Sequence, residues 1–413
     1  EIGACDWSSD VCSSDLEDYE DILANTERVR QIIRDDIAEM RPRYHRERKT
    51  SIEESAADID IEALIQEHHT AVTITTQGYV KRVPLDTYRT QARGGRGIIG
   101  SQAKDDDVVK HLFVASTHDD LLCFTDTGRV FKVKVYEIPE MNRTARGRSI
   151  VNIIDLKEGE RCVNYTPIAD FSRGEDALTF VTAKGRIKRT FLSAYRNVNR
   201  SGLIAVNLNE GDELVNVAVT SGNDHVLLVT ASGMAIRFEE SQARPMGRSS
   251  AGVKAIDLAP GDAVVDMVRV SLTDQDNPTS YAIPDLELLT VTENGYGKRT
   301  HVTEYLVASE DDNGKPVYRT QSRAGKGRKD IKTNARNGRV AAAKGVTDDH
   351  DVVFITRSGM IVRTRADQIS SIGRNTAGVR LVNLKDADKV IAAAITEREN
   401  DPATPDEPGV APE

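Results

Sequence analysis

Six times along this chain a Thr stands three residues before a Gly, and a Lys or Arg stands four residues after that Gly. The copies are Thr75/Gly78/Arg82, Thr125/Gly128/Lys132, Thr182/Gly185/Arg189, Thr230/Gly233/Arg237, Thr292/Gly295/Arg299 and Thr356/Gly359/Arg363. An apolar residue precedes the Thr in every copy: Ile74, Phe124, Val181, Val229, Val291 and Ile355. Each unit reads as strand, Gly-containing turn and second strand, which is a β-hairpin. Hairpins recurring roughly every 50 to 65 residues are the signature of a radial β architecture, in which a unit buries its apolar face only by stacking on its neighbours.

A second anchor follows four of the six turn glycines at a distance. Leu156-Lys157-Glu158-Gly159-Glu160, Leu208-Asn209-Glu210-Gly211-Asp212 and Leu258-Ala259-Pro260-Gly261-Asp262 share one pattern, and Leu384-Lys385-Asp386-Ala387-Asp388 is a weaker copy. Apolar runs flank it, such as Gly252-Val253-Lys254-Ala255-Ile256 before and Val264-Val265-Asp266-Met267-Val268 after. The unit then holds about four strands, as a propeller blade does, and six such blades close a ring. Unit one lacks the anchor, unit five carries an insertion around Ser309 to Lys315, and Thr273 to Asn277 reads as a polar loop.

The ends differ from the body. Residues 1–16 hold the only Trp, two of the four Cys and a Ser-Ser-Asp tract without periodicity, and read as a non-native segment. Apolar residues from Ile22 to Met40 recur at helical spacing, which predicts a helix from Glu17 that Pro42 ends; Thr50 to Glu53 fits a capping box for a second one. Residues 17–66 thus form a helical connector, 67–396 the repeat domain, and 397–413 an acidic, Pro-rich tail expected to be disordered.

The whole chain has 55 Lys+Arg against 65 Asp+Glu, a net charge of −10 that by itself argues against a polyanionic partner. The distribution reverses that argument. Residues 1–67 hold 8 basic and 19 acidic side chains, residues 397–413 hold 1 and 6, and the repeat region keeps 46 against 40. A net-basic body lies between acidic flanks. No apolar run of about 18 residues could span a membrane, and cysteines without metal-ligand spacing fit a reduced, cytoplasmic protein. The pair His68-His69 does not form a metal site, because neighbours on a strand point to opposite faces.

Two sets of residues are candidates for contact with a polyanion. Equivalent positions in a closed ring lie at one height, so Arg82, Lys132, Arg189, Arg237, Arg299 and Arg363 are expected to form an outward belt. Lys81, Lys134, Lys188, Lys298 and Arg365 would reinforce it, and Arg146, Arg148, Arg200, Arg248 and Arg374 would add to it from later loops. Cations without interleaved aromatics suit phosphates rather than base readout. The second set is the heptad Gln91-Ala92-Arg93-Gly94-Gly95-Arg96-Gly97, whose glycines let backbone N–H groups approach an anion while two arginines supply charge. A diluted copy, Gln321-Ser322-Arg323-Ala324-Gly325-Lys326-Gly327, lies in unit five. Neither matches a nucleotide-binding fingerprint.

The heptad resembles the box that marks the C-terminal domain of DNA gyrase A, in the type IIA topoisomerase family, with Ala92 where a basic residue is usual. Asp58 to Ile65 resembles the entry to that domain. The resemblance implies an all-β fold, a six-bladed β-pinwheel with a short helical N-terminal connector, whose blades exchange strands and whose rim wraps duplex DNA. It implies no catalytic residue, metal or cofactor in this segment. The cleaving Tyr belongs to an N-terminal domain of gyrase A, and ATP and Mg act elsewhere in an A2B2 holoenzyme with gyrase B. The alternatives are the matching domain of topoisomerase IV and a propeller serving as a protein-interaction scaffold. The repeats lack the Trp-Asp signature and the aromatic anchors expected of a scaffold.

Overall fold

The motif Thr sits where each hairpin meets the strand on its other side. In a computed structural model, which describes residues 9–46, 61–75, 77–84, 109–142, 145–310, 314–358, 360–384 and 388–397, the register on that side slips at Ile74/Thr75 and at the equivalent place in all six units. The bulge frees the Thr side chain for the turn. Its Oγ1 accepts from the amide of Tyr79 at 3.0 Å, Arg129 at 3.1 Å, Arg186 at 3.3 Å, Met234 at 3.2 Å and Met360 at 3.1 Å. Thr292 instead donates to Tyr296 O at 3.1 Å.

The glycine answers two demands. It takes φ between 74° and 82° at Gly78, Gly128, Gly185, Gly233 and Gly295, a region closed to most side chains. It also admits the next unit: a Cβ on Gly128 would lie 2.3 Å from Val206 O, and one on Gly233 2.3 Å from Ile331 O.

The second anchor caps this same turn. Glu160 accepts from Thr127 Oγ1 at 2.6 Å, Asp212 from Thr182 Oγ1 at 2.7 Å, Asp262 from the Ser232 amide at 2.9 Å, and Asp388 from the Ser358 amide at 3.0 Å. In unit five the loop is basic, and Asn337 stands in, its carbonyl accepting from the Asn294 amide at 3.1 Å.

Each blade is one hairpin flanked by two further strands. The hairpins are His69–Thr75 with Tyr79–Pro84, Asp120–Thr125 with Arg129–Lys134, Ala177–Thr182 with Arg186–Phe191, His225–Thr230 with Met234–Glu239, Glu287–Thr292 with Tyr296–His301, and His350–Thr356 with Ile361–Arg365. Inner strands Val109–Ser116, Cys162–Ile168, Leu214–Thr220, Val264–Val270, Val340–Val346 and Val390–Glu397 pair with the first arms. Neighbouring inner strands pack together, and the last packs on the first, which closes the ring.

The outer strands are exchanged. Arg148–Ser149 follows hairpin two but completes blade 1, and Leu203–Ile204, Val253–Lys254, Arg328–Lys329 and Val379–Arg380 complete blades 2 to 5 in the same way. Blade 6 has three strands among the described residues. Five apolar clusters lie at the five junctions between successive blades. In the cluster between blades 2 and 3, Phe124 meets Phe180 edge-on with ring centroids 5.5 Å apart. The domain is thus the all-β, six-bladed pinwheel that the repeats imply. The insertion in unit five is a small hairpin, Val307–Glu310 with Pro316–Arg319.

The chain divides into two compact units, 1–61 and 62–413. In the first, the expected single helix is two: α1 (Ser9–Ala24), which begins inside the tract read as non-native, and α2 (Thr26–Tyr44). Asn25 separates them because its side chain caps the Glu27 amide at 3.2 Å. Pro42 does not end α2, since the turn closes beyond it through His45 N to Arg41 O at 2.9 Å. Among the described residues no helix is long and apolar enough to cross a membrane. The expected capping box at Thr50 to Glu53, the heptad and residues 398–413 lie outside the described residues.

Candidate nucleic-acid interface

The sixfold basic register does not form an outward belt. Arg189, Arg237 and Arg299 are buried, as are Lys81, Lys188 and Lys298 beside them. In blades 3 to 5 the second hairpin arm is buried on both faces, so no parity along it is an outside, whereas in blade 6 Arg363 and Arg365 share an exposed face.

These cations reach the 3-10 turn that begins the next unit's exchanged segment. Arg82 Nε donates to Ile138 O at 2.8 Å, Lys132 Nζ to Arg196 O at 2.8 Å, and Arg299 Nε to Ile369 O at 2.8 Å. Arg189 pairs with Glu240 at 2.8 Å, both side chains being buried. Arg237 donates to Val302 O at 2.9 Å, Pro278 O at 3.0 Å, Tyr281 Oη at 3.1 Å and His225 Nδ1 at 2.9 Å. Burial first, then the Arg237 charge, pull His225 down to about 3, so it stays neutral and can accept. Pro278 directly follows the segment read as a polar loop, whose structural role the sequence did not announce.

The register is therefore a set of latches between successive blades. The sixth copy differs. Arg363 pairs with Asp351 of its own blade at 2.7 Å and remains 48% exposed, and Arg365 pairs with Asp367. Lys134 is held by Glu62 at 2.8 Å and His118 O at 3.1 Å. Burial, with Arg248 nearby, lowers Lys188 to about 8.

Outward cations lie elsewhere, on the exchanged strands and the loops that lead into them. Arg146, Arg148, Arg200 and Lys326 are exposed there, as are Lys254 and Arg380, which sequence reasoning missed. Arg146 stacks on Tyr79, 4.0 Å from the ring centroid. Arg380 donates to Tyr296 Oη at 2.8 Å and Arg336 donates to the same oxygen at 3.1 Å, which holds the phenol below its ordinary range. Arg248 is half-buried. Arg323 is half-buried too, its guanidinium donating to Gln242 O at 3.0 Å. Arg374 lies 3.8 Å from Glu304.

The signal for Lys254 and Arg380 was available: each is the second residue after a Gly, Gly252 or Gly378, with φ of 74°. A Cβ on Gly252 would lie 2.4 Å from Ile187 O of the preceding blade. Gln91, Arg93, Gly94, Gly95, Arg96 and Gly97 lie outside the described residues. Their register can still be counted: Gly97 follows Arg82 by 15 residues, as Gly147 follows Lys132, Gly252 follows Arg237 and Gly378 follows Arg363.

Comparison with known proteins places these features in context. The family model of the DNA gyrase C-terminal domain, beta-propeller, matches residues 69–116, 119–165, 176–221, 224–271, 286–316, 317–346 and 350–397, with unit five split at its insertion. DNA gyrase A of Haloquadratum walsbyi is 40% identical over 394 residues, covering 95% of this chain and 43% of that protein. DNA gyrase A of Staphylococcus epidermidis is 40% identical over 387 residues, covering 94% of this chain and 41% of its own length. The chain thus spans about two fifths of the length of the curated relatives it matches. Among solved structures, the C-terminal domain of DNA topoisomerase IV aligns with a TM-score of 0.65 at 26% identity, covering 82% of this chain and 96% of that one. The DNA gyrase A C-terminal domain aligns at 0.59 and 24%, covering 79% and 99%, and shares the fold.

Proposed function

Because the chain belongs to the DNA gyrase C-terminal β-propeller family, we propose that it binds and wraps duplex DNA without sequence preference, so that a gyrase holoenzyme introduces negative supercoils in an ATP-dependent reaction. The observation that carries this reading is the recurrence of exposed cations along the outer edge: Arg148, Lys254 and Arg380 on exchanged strands, with Arg146, Arg200 and Lys326 in the loops before them. Such a row matches a phosphate backbone and offers no base-reading geometry. Bending 20 to 30 bp through 40 to 90° costs on the order of 1 to 6 kcal/mol, so several contacts must act together.

The heptad stands at the same count in the sequence. In units two, four and six the segment at this register hands a strand to the preceding blade, and for unit one the preceding blade around the ring is blade 6. Arg93 and Arg96 are the cations that the heptad brings to this reading. Strand cleavage is assigned to the N-terminal domain of gyrase A and ATP hydrolysis to gyrase B, with an A2B2 assembly acting in the cytoplasm; this segment carries no catalytic residue and takes no cofactor.

A supercoiling assay with the reconstituted holoenzyme tests the proposal. Arg93→Ala with Arg96→Ala should abolish negative supercoiling while ATP-dependent relaxation persists, and unchanged supercoiling would remove the heptad from the site. Topoisomerase IV gives the second reading, favoured by the 0.65 alignment. Decatenation by the wild-type enzyme without supercoiling would select it.

A further inference from the structure

One residue before the latch, the second hairpin arms alternate. Blades 1, 3 and 5 carry Lys81, Lys188 and Lys298, whereas blades 2, 4 and 6 carry Phe131, Ile236 and Val362. All three lysines are buried, and each reaches a main-chain carbonyl in the rim loop of the next unit. Lys81 Nζ donates to Ala145 O at 2.8 Å, Lys188 Nζ to Arg248 O, and Lys298 Nζ to Gly373 O at 3.1 Å.

The same three junctions carry another tie. Parallel bridges join the latch residue itself to the next unit at Arg82 with Glu140, Arg189 with Pro245 and Arg299 with Ser371, and among the described residues neither Lys132 nor Arg237 makes one. At Arg237 a main-chain bond, Gln321 N to Arg237 O at 2.9 Å, ties the next loop without a bridge or a lysine, so the rim alternates between loops that carry both and loops that carry neither.

A buried ammonium is costly, and Lys188 has no carboxylate partner among the described residues, although Lys298 pairs with Asp330 at 3.0 Å. The fold itself does not require a cation there, since Phe131 and Ile236 fill the same register in blades 2 and 4. What the lysines add is a fixed loop. Those loops bear Arg146 and Arg148, Arg248, and Arg374. A side chain presented from an ordered loop loses less freedom when it meets a phosphate.

We infer that Lys81, Lys188 and Lys298 are positioning residues for DNA wrapping: from inside the ring they hold three rim loops, at every second blade, so that the arginines on those loops meet the duplex as three pre-ordered stations. The inference rests on the duplex-binding reading above.

The experiment uses the full chain with Lys188→Ile, which copies the residue blade 4 uses, and Leu228→Ala as a control that opens the core between blades 3 and 4 from the first arm of a hairpin, away from the lysine's carbonyl. Amide exchange over residues 246–252, duplex affinity and the linking-number change of bound closed-circular DNA are measured. Lys188→Ile should exchange about tenfold faster over 246–252 and bind about three- to tenfold more weakly, with less linking change. The control should lower stability and leave binding unchanged. The inference is overturned if Lys188→Ile binds and exchanges like the wild type, or loses no more affinity than the control. Failure of the wild type itself to bind duplex would instead sink the function proposed above, and this inference with it.

Discussion

Arg237→Met separates a latch from a phosphate contact. The side chain is fully buried, and methionine replaces most of its stem, so the energetics lie in the polar groups left behind. Tyr281 keeps a partner in Thr303, 2.8 Å away. His225, relieved of the adjacent cation, regains part of its ordinary basicity. The carbonyls of Val302 and Pro278 lose a donor, and a buried group left unsatisfied costs about 1 to 3 kcal/mol. Against this stands the recovered desolvation of a guanidinium that has no carboxylate partner among the described residues. The expected net loss is roughly 2 to 4 kcal/mol, read as a lower urea midpoint at unchanged slope. Duplex affinity, measured well below the unfolding transition, should change by less than about twofold, because the group never reaches the surface. The reverse result, an unmoved midpoint with weaker binding and a salt slope reduced by about one counterion, would refute the latch.

Arg363→Met, at the same register but half exposed, should cost at most about 1 kcal/mol, as surface ion pairs do; a loss as large as that of Arg237→Met in the same urea experiment would mean the sixth junction is latched like the others. Gly252→Ala should cost roughly 2 to 4 kcal/mol, combining a left-handed φ with a Cβ placed against Ile187 O. Gly159→Ala, with φ of 79° and nothing within 4 Å, should lose only the backbone part, and equal midpoints for the two variants would contradict the close approach. In acid, burial raises Asp388, but hydrogen bonds from Ser358, Thr356 and the Lys389 amide outweigh it and hold the carboxyl at about 2. A folded pKa below the unfolded one gives stability that is present above about pH 4 and lost as pH falls through about 2; Asp262 and Glu160 are lowered in the same way. Circular dichroism between pH 5 and 2 should show this loss, reduced in Asp388→Asn, and an identical acid profile for that variant would remove the cap from the account.

What could be read from the sequence divides by the distance over which each residue acts. The turn motif is local: Thr230 bonds an amide four residues on, and Gly233 needs its φ for that same turn, so pattern and cause coincide. The helix break failed for a comparable reason in reverse. Apolar spacing runs unbroken across Asn25, and only the cap it offers Glu27 reveals the boundary. The charged register failed differently. Its residue type and spacing were legible, but its direction depends on a carbonyl 56 residues away for Arg82 and 65 for Arg237. Even so, the second hairpin arms carried a usable sign. Ala235-Ile236-Arg237-Phe238 and Val80-Lys81-Arg82-Val83 place apolar residues at both parities, the pattern of a strand covered on both faces. A cation embedded in such a strand is to be read as buried and paired. Arg148, Lys254 and Arg380, each following a left-handed glycine in a two-residue strand, are exposed, whereas Arg328 and Lys329, after Gly327, turn inward to the carbonyls of Leu306 and Ser232. The first five copies of the repeat thus encode how successive blades are fastened, while the sixth pairs within its own blade.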